Sequence, residues 1–170
     1  MTKHDIFTTP FWDIKGAPQQ LVDELYQGAY RFKKIYQNNI FSNEGGYQSP
    51  SFDWKEFHPQ GIEYINKVIG DIFKFKVQSW WYNINGKGHW NLPHAHPFSV
   101  VDYALVWYLT DSDELLHLMD PFSHRCNSEN IVVNSKKGDI IVFPSDIIHY
   151  VMPNQKDMDR ICISMNLQLL

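Results

Sequence analysis

Three histidines in this sequence have the spacing and the neighbours that metal ligands require. His94 and His96 stand two positions apart, each beside a proline, and proline favours extended backbone. Alternate residues of an extended segment point to the same side, so these two imidazoles can converge on one cation. His149 comes a few residues after the apolar run GDIIVFP and can supply a third ligand. Three imidazoles on one face of an octahedron leave other positions open, which suits ferrous iron.

A fixed positive charge follows at Arg160. The segment RICISMNL alternates between aliphatic residues and a polar face that carries Arg160, Cys162, Ser164 and Asn166. If this face points into the protein, the guanidinium needs an anion, and its planar fork suits a dicarboxylate ligand. The chain also offers three alternative partners for the arginine: Asp102, Asp146 and Asp159.

Each of these assignments has a structural alternative. An H-x-H pair also occurs on solvent-exposed strands, and a single histidine on an apolar strand is usually a packed, hydrogen-bonded residue. We assign such packed or surface roles to the other five histidines: His4, His58, His89, His117 and His124. Met119 and the Trp80-Trp81 pair are expected in the core.

The elements that must position these residues fall into two parts. Apolar residues recur at three- and four-residue spacing from Ala17 to Gln37, which predicts an amphipathic helix, and a second helix is expected from Pro59 to about Gly70. The polar stretch SNEGGYQSPSFDW lies between them. Its glycines permit close approach of the backbone to a neighbour, so the segment is either a simple turn or a loop at the site, and we favour a cleft role for Gln48.

Beyond residue 70 the pattern is that of short strands separated by turns. The predicted strands are FKVQSWWYNIN, VVDYALVWYLT, ELLHLMD, ENIVVNS, GDIIVFP, HYVMP and RICISMNLQL. GDIIVFP is apolar at successive positions, so both of its faces should be covered. The predicted fold is mainly β with N-terminal helices: a double-stranded β-helix, or jelly roll, whose helices back one sheet.

Composition limits the architecture and the partners. With 170 residues, of which 44% are apolar, we expect a single domain over 1–170, with a helical part at about 1–70 and a β-sandwich core at about 71–170. The net charge is −4 with no basic stripe, so no nucleic-acid partner is expected. No apolar run has the length of a signal peptide or a membrane span, so we expect a cytoplasmic protein without a membrane partner. Cys126 and Cys162 are expected to be reduced thiols.

Together, these motifs resemble the 2-oxoglutarate- and Fe(II)-dependent oxygenase superfamily. HAH, a strand ending in WYL, GDIIVFPSDIIH and RICISMN stand in the superfamily's order, and the likeness extends upstream to SNEGGYQS. It is closest to a group of small oxygenases found in phages and bacteria. The resemblance implies a dioxygenase that uses Fe(II), 2-oxoglutarate and O2, releases succinate and CO2, and hydroxylates a peptidyl or small-molecule substrate. A phage-encoded member would act in the host cytoplasm, and a homodimer is left open.

The resemblance also implies roles for individual residues. His94, His96 and His149 would hold the metal, and Arg160 would bind the distal carboxylate of 2-oxoglutarate. Three further side chains would lie around the cosubstrate: Tyr108, Ser164 and Asn83. The chain departs from the superfamily at His96, where most members have a carboxylate, and at Cys162, where the group has serine. The sequence leaves open whether a carboxylate such as Asp102 or Asp120 also joins the site.

A cupin-type, metal-dependent enzyme or binding module without 2-oxoglutarate is the main alternative. Gly88 followed by His94 and His96, and Gly138 followed by Pro144 and His149, reproduce much of the two cupin motifs. The glutamate of the first cupin motif is missing, and a cupin gives Arg160 no role. A structural jelly roll that has lost its metal is a third alternative.

Overall fold

The computed structural model describes residues 9–97, 99–121 and 130–170. His4, His124 and Cys126 lie outside these ranges. Within the described ranges, the chain forms two α-helices, a short 3-10 helix at Trp54–Glu56 and eleven strands. Their bounds are α1 (Gln19–Ile35), α2 (Pro59–Gly70), β1 (Trp12–Ile14), β2 (Asn43–Glu44), β3 (Tyr47–Gln48), β4 (Phe75–Asn85), β5 (Trp90–His94), β6 (Tyr103–Tyr108), β7 (Ser112–Leu118), β8 (Ile131–Ser135), β9 (Ile140–Pro144), β10 (His149–Val151) and β11 (Arg160–Leu169).

Two antiparallel sheets face each other. One has the strand order β1-β9-β6-β11-β4-β3, and the other has the order β2-β5-β10-β7-β8. The first sheet packs its outer face against α1 and α2, and its inner face turns towards the second sheet. The predicted jelly roll with helices backing one sheet is therefore confirmed.

The alternation of β11 decides which of its residues reach the interior. Ile161, Ile163, Met165 and Leu167 join the helix residues in one apolar core. Cys162 belongs to the second core, between the sheets. Because successive side chains of a strand point to opposite faces, Arg160 and Ser164 share the inner face with Cys162. β9 contributes alternate residues to both cores, which explains its unbroken apolar sequence.

The segment with β2 and β3 joins the two sheets at one edge. β2 pairs with β5 in the second sheet, whereas β3 pairs with β4 in the first, so that Gln48 lies opposite Asn83. Gly45 has φ +78°, and a Cβ at Gly46 would lie 2.5 Å from the Oδ1 atom of Asn43. The sequence predicts this segment only as a loop; its two-residue strands are too short for a periodic signal.

Candidate metal and cosubstrate site

The second sheet brings the three predicted metal ligands together. His94 ends β5 and lies opposite His149, which begins β10. His96 follows β5, and its backbone N–H donates to the carbonyl of Ser145, which anchors it beside the other two. One ring nitrogen of each histidine lies within 4.8 Å of those of the other two. The three imidazoles thus converge, as the sequence predicts from the extended H-x-H segment and from the position of His149 after β9.

Hydrogen bonds set the tautomer of each imidazole. The Nδ1 atoms of His94 and His149 lie 2.7 and 2.9 Å from the backbone carbonyls of Leu92 and Ile147. Nδ1 of His96 lies 2.6 Å from the side-chain oxygen of Asn166. These acceptors place the proton on Nδ1, so the lone pair of every Nε2 is available to a metal ion.

Burial keeps the triad neutral. It lowers the pKa of His149 to about 3 and that of His96 to about 4, with a smaller contribution from the proximity of the neighbouring histidine, and it also lowers the pKa of His94. Neutral imidazole is the form that binds metals. Three neutral nitrogen donors with fixed tautomers fit a divalent transition metal such as Fe(II).

No carboxylate joins the metal-ligating cluster within the described ranges. Asp102 accepts a hydrogen bond from the backbone N–H of Leu169 instead. Because imidazoles bring no negative charge, a divalent ion held by them keeps its full charge, which favours an anionic cosubstrate.

Arg160 is 3% exposed and lines the same cavity as the triad. Its Nε donates to Oγ of Ser112 at 2.9 Å, and its Nη1 lies 3.7 Å from Sγ of Cys162. Among the described residues, no carboxylate pairs with this guanidinium. Asp159, one of the expected alternatives, accepts instead from the hydroxyl of Tyr30. A buried cation without a protein anion is energetically costly. The remaining N–H groups of this guanidinium therefore suit an anionic ligand.

Tyr108 lies against Arg160. The guanidinium carbon is 5.4 Å from the centre of the tyrosine ring, and the residue is fully buried and is not part of the cavity wall. Its hydroxyl makes no hydrogen bond to any described residue, although Arg160 and Ser135 are its neighbours. Burial raises the pKa of Tyr108 to about 12, so the phenol keeps its proton and can donate.

The cavity has a volume of about 300 Å³ and lies between the sheets. Its floor follows the strand register: Asn83 lies opposite Cys162, and Trp81 opposite Ser164. The Nδ2 of Asn83 donates to Oγ of Ser164 at 3.0 Å. Besides the triad and Arg160, the wall contains Phe41, Ser42, Gln48, Ser51, Trp81, Asn83, Asn91, Ala95, Pro97, Ala104, Leu105, Val106, Leu116, Phe143, Val151, Cys162, Ser164 and Asn166.

Only some of the side chains that the sequence places in the cleft or in the core lie there. Gln48 is part of the cavity wall, which confirms its cleft role. Trp80 is in the core, but the expectation for Trp81 was wrong: it is half-buried, lines the cavity, and lies 5.9 Å from His96 between ring centres. Trp81 and Asn83 are two positions apart on β4 and share one face, so the alternation of the strand could have indicated that Trp81 lines the cavity. Met119 was also expected in the core and is 37% exposed.

The sequence gives no indication of a site role for Ser112. It lies 48 positions from Arg160 along the chain, and no local pattern connects the two. His117 stacks on Tyr150, 4.9 Å away, which confirms a packed role for that histidine.

Comparison with known families decides the identity. The model of the family described as "Putative 2OG-Fe(II) oxygenase" matches residues 79–166, more than half of the chain. The chain belongs to this family. This 2OG-Fe(II) oxygenase is therefore an enzyme whose cofactors are Fe(II) and 2-oxoglutarate, and its membership decides against the cupin alternative. The narrower likeness to a phage and bacterial group stays a prediction.

Solved structures share the fold of this 2OG-Fe(II) oxygenase. HygX from Streptomyces hygroscopicus, crystallised with nickel and 2-oxoglutarate, is 12% identical with a TM-score of 0.72 over 95% of this chain and 84% of its own. A prolyl-4-hydroxylase from Pseudomonas putida is 16% identical with a TM-score of 0.67 over 96% and 94%. The viral collagen prolyl hydroxylase of Paramecium Bursaria Chlorella virus-1 is 16% identical with a TM-score of 0.60 over 94% and 96%.

Two further findings are negative. No curated protein matches the sequence of this oxygenase. Within the described residues, no helix has the length and apolar character that crossing a membrane requires.

Proposed function

We propose that this chain is an Fe(II)- and 2-oxoglutarate-dependent dioxygenase that hydroxylates a peptidyl or small-molecule substrate and releases succinate and CO2. His94, His96 and His149 would hold the metal. Residues 1–170 would act as one domain. The observation that carries the proposal is the buried Arg160, which shares a cavity with the triad and has no carboxylate partner among the described residues.

The residues around Arg160 would bind the distal carboxylate of 2-oxoglutarate. Oγ of Ser112 accepts the hydrogen bond from Nε of Arg160, which leaves the Nη atoms of the guanidinium for the ligand. Tyr108, a protonated neighbour of the guanidinium, would reinforce the positive end of the pocket. Ser164 and Asn83, joined by their hydrogen bond, would form part of the floor along the cosubstrate.

The metal held by the triad and the guanidinium of Arg160 would bind opposite ends of the cosubstrate. When bound, Fe(II) with 2-oxoglutarate and O2 supplies the oxidative chemistry, in which the cosubstrate becomes succinate and CO2. The protein would orient the cosubstrate between the three neutral imidazoles and the positively charged guanidinium of Arg160. Leu116, Phe143 and Val151 contribute apolar wall between the sheets, which keeps the local dielectric low and strengthens these charge interactions.

Calorimetry with the zinc-loaded protein tests this assignment, because zinc is redox-inert and no turnover can occur. We compare 2-oxoglutarate with 2-oxobutyrate, which has the keto-acid end but lacks the distal carboxylate. The wild-type protein should prefer 2-oxoglutarate by about 10- to 100-fold, as charge-assisted hydrogen bonds of this kind imply.

Arg160→Ala should bring that preference close to one while zinc remains bound. Arg31→Ala, which removes an exposed arginine, is the matched control and should keep the preference. Equal affinity of the wild-type protein for the two keto acids would overturn the role of Arg160. A zinc-loaded protein that binds neither keto acid would overturn the proposed function.

A further inference from the structure

Two oxygen atoms in the cavity wall are buried without a donor. They are Oε1 of Gln48 and Oδ1 of Asn83, and neither accepts a hydrogen bond from a described residue. Each of the two side chains belongs to a residue that is only 6% exposed. Buried acceptors in native proteins are normally paired, so this pair of carboxamides indicates a ligand.

The two residues are neighbours in the first sheet. Gln48 on β3 and Asn83 on β4 are direct partners in the sheet, and side chains at paired positions have Cβ atoms about 5 Å apart. The backbone of Gln48 is already held, because its N–H donates to Asn38 and its carbonyl accepts from Asn39. The side-chain carboxamide is therefore the part of Gln48 that can bind a ligand.

2-Oxoglutarate cannot satisfy these oxygens. At neutral pH it carries two carboxylates and a keto group, all of which accept hydrogen bonds, so a ligand that donates to these oxygens has to be a different molecule from the cosubstrate. The register places Gln48 and Asn83 on the β3 side of the floor, whereas Cys162 and Tyr108 follow on the other side of Asn83. The oxidised substrate would therefore lie on the β3 side of the cosubstrate.

The neighbouring side chains limit the chemistry of that substrate. Trp81, which lies 5.9 Å from the His96 ring, provides an aromatic surface near the metal ligands. Phe41 is 79% exposed although it lines the cavity, so it provides an apolar contact at the entrance. Among the described wall residues there is no carboxylate and no lysine, and Arg160 is the sole fixed cation. A substrate group with an ammonium ion would thus lack a counter-charge.

We propose that Gln48 and Asn83 are specificity-determining residues that accept N–H groups of a neutral amide on the oxidised substrate, whose apolar part packs on Trp81 and Phe41. The inference rests on the proposed function, because it takes the rest of the cavity as the cosubstrate site. A primary amide has two N–H donors on one nitrogen and can donate to both oxygens at once. The predicted substrate class is a peptidyl or small-molecule carboxamide with an aliphatic or aromatic side.

A series of four small probes tests the proposal in the zinc- and 2-oxoglutarate-loaded protein. They are 3-phenylpropanamide, its methyl ester analogue methyl 3-phenylpropanoate, 3-phenylpropanoate and 3-phenylpropylamine. These probes share the aromatic part and differ in donors and charge. Ligand-observed NMR titration suits their weak binding. The wild-type protein should bind the amide about tenfold more tightly than the ester, since an unmade bond to a buried acceptor costs roughly that much.

Two variants of one residue make the test specific. Gln48→Leu should reduce the preference for the amide over the ester to less than threefold. Gln48→Glu keeps the shape but adds a negative charge, so it should bind 3-phenylpropylamine at least tenfold more tightly than the wild-type protein does. Gln27→Leu, at an exposed position of α1, is the control and should leave all four affinities unchanged.

The outcomes separate this inference from the proposed function. Normal 2-oxoglutarate binding with no preference of the wild-type protein for the amide, or with an unchanged preference in Gln48→Leu, would overturn the substrate inference alone. Failure of the zinc-loaded wild-type protein to bind 2-oxoglutarate would overturn the proposed function itself. Retained 2-oxoglutarate affinity in the Gln48 variants shows that they are folded, so loss of the amide preference there supports the inference.

Discussion

Removal of the Asn166 carboxamide should weaken metal binding without removing a metal ligand. The side-chain oxygen of Asn166 lies 2.6 Å from Nδ1 of His96, and Nδ2 of Asn166 donates to Ser79 at 3.1 Å. Asn166 is thus anchored at one end and sets the His96 tautomer with the other. Asn166→Ala removes the acceptor, so the proton can move to Nε2, where it blocks the metal position.

Outer partners of metal-bound histidines are typically worth about 10- to 100-fold in affinity, which corresponds to roughly 1.4–2.7 kcal/mol. We expect Asn166→Ala to lose zinc affinity within that range, because Trp81 still contacts the His96 ring but offers no acceptor. Asn166→Asp restores an acceptor with a full negative charge, and it should bind zinc at least as tightly as the wild-type protein does.

Equilibrium competition with a chelator measures these affinities. Ser79→Ala is the matched control, because it removes the other hydrogen bond of Asn166 without touching His96, and it should change zinc affinity less than threefold. If Asn166→Ala binds zinc as tightly as the wild-type protein does, the hydrogen bond to Asn166 does not set the tautomer of His96.

Three further results are expected. Ser112→Ala leaves Nε of the buried Arg160 without an acceptor, so urea unfolding should show a loss of about 1–3 kcal/mol; an unchanged free energy of unfolding would contradict this. Gly46→Ala places a Cβ 2.5 Å from Oδ1 of Asn43, and the overpacking should cost about 1–3 kcal/mol, whereas an unshifted urea midpoint would show that the segment adapts freely. Zinc at about 100 times its Kd should stabilise the protein by about 2.7 kcal/mol and raise Tm by roughly 5–10 °C; His149→Ala should lose that rise, and a rise of equal size there would argue against the triad.

The long strands were predictable because their patterns are local. β4 and β11 have the bounds that alternation indicates in the sequence, and the inner face of β11 follows from its period of two. The first predicted helix covers 17–37, and α1 covers Gln19–Ile35; the last residues at each end are not needed for its apolar face.

β2 and β3 were not predictable as strands. Each has two residues, and each finds its partner far along the chain, so that Gln48 pairs with Asn83. Such pairs are stabilised by tertiary contacts rather than by a local propensity. The glycine-rich composition indicated close approach, but not which neighbour is approached.

The metal ligands were predictable because two of them share one extended segment and the third follows a buried strand. Their supporting residues were harder to find. Ser112 reaches Arg160 only because β7 and β11 lie in facing sheets. Trp81 was expected in the core because tryptophan is usually buried there. The alternation of β4 instead points it into the cavity between the sheets, where an inward-facing side chain is only half-buried.

Binding of 2-oxoglutarate to the iron site is tested most directly by an anaerobic titration of the ferrous protein with 2-oxoglutarate, followed by visible absorption. A keto acid chelated to Fe(II) gives a charge-transfer band, so we expect a band that saturates at one cosubstrate per chain. His149→Ala should give no band under the same conditions. A wild-type protein that is fully loaded with Fe(II) and shows no band at saturating 2-oxoglutarate would contradict the assignment of this cavity as the iron and 2-oxoglutarate site.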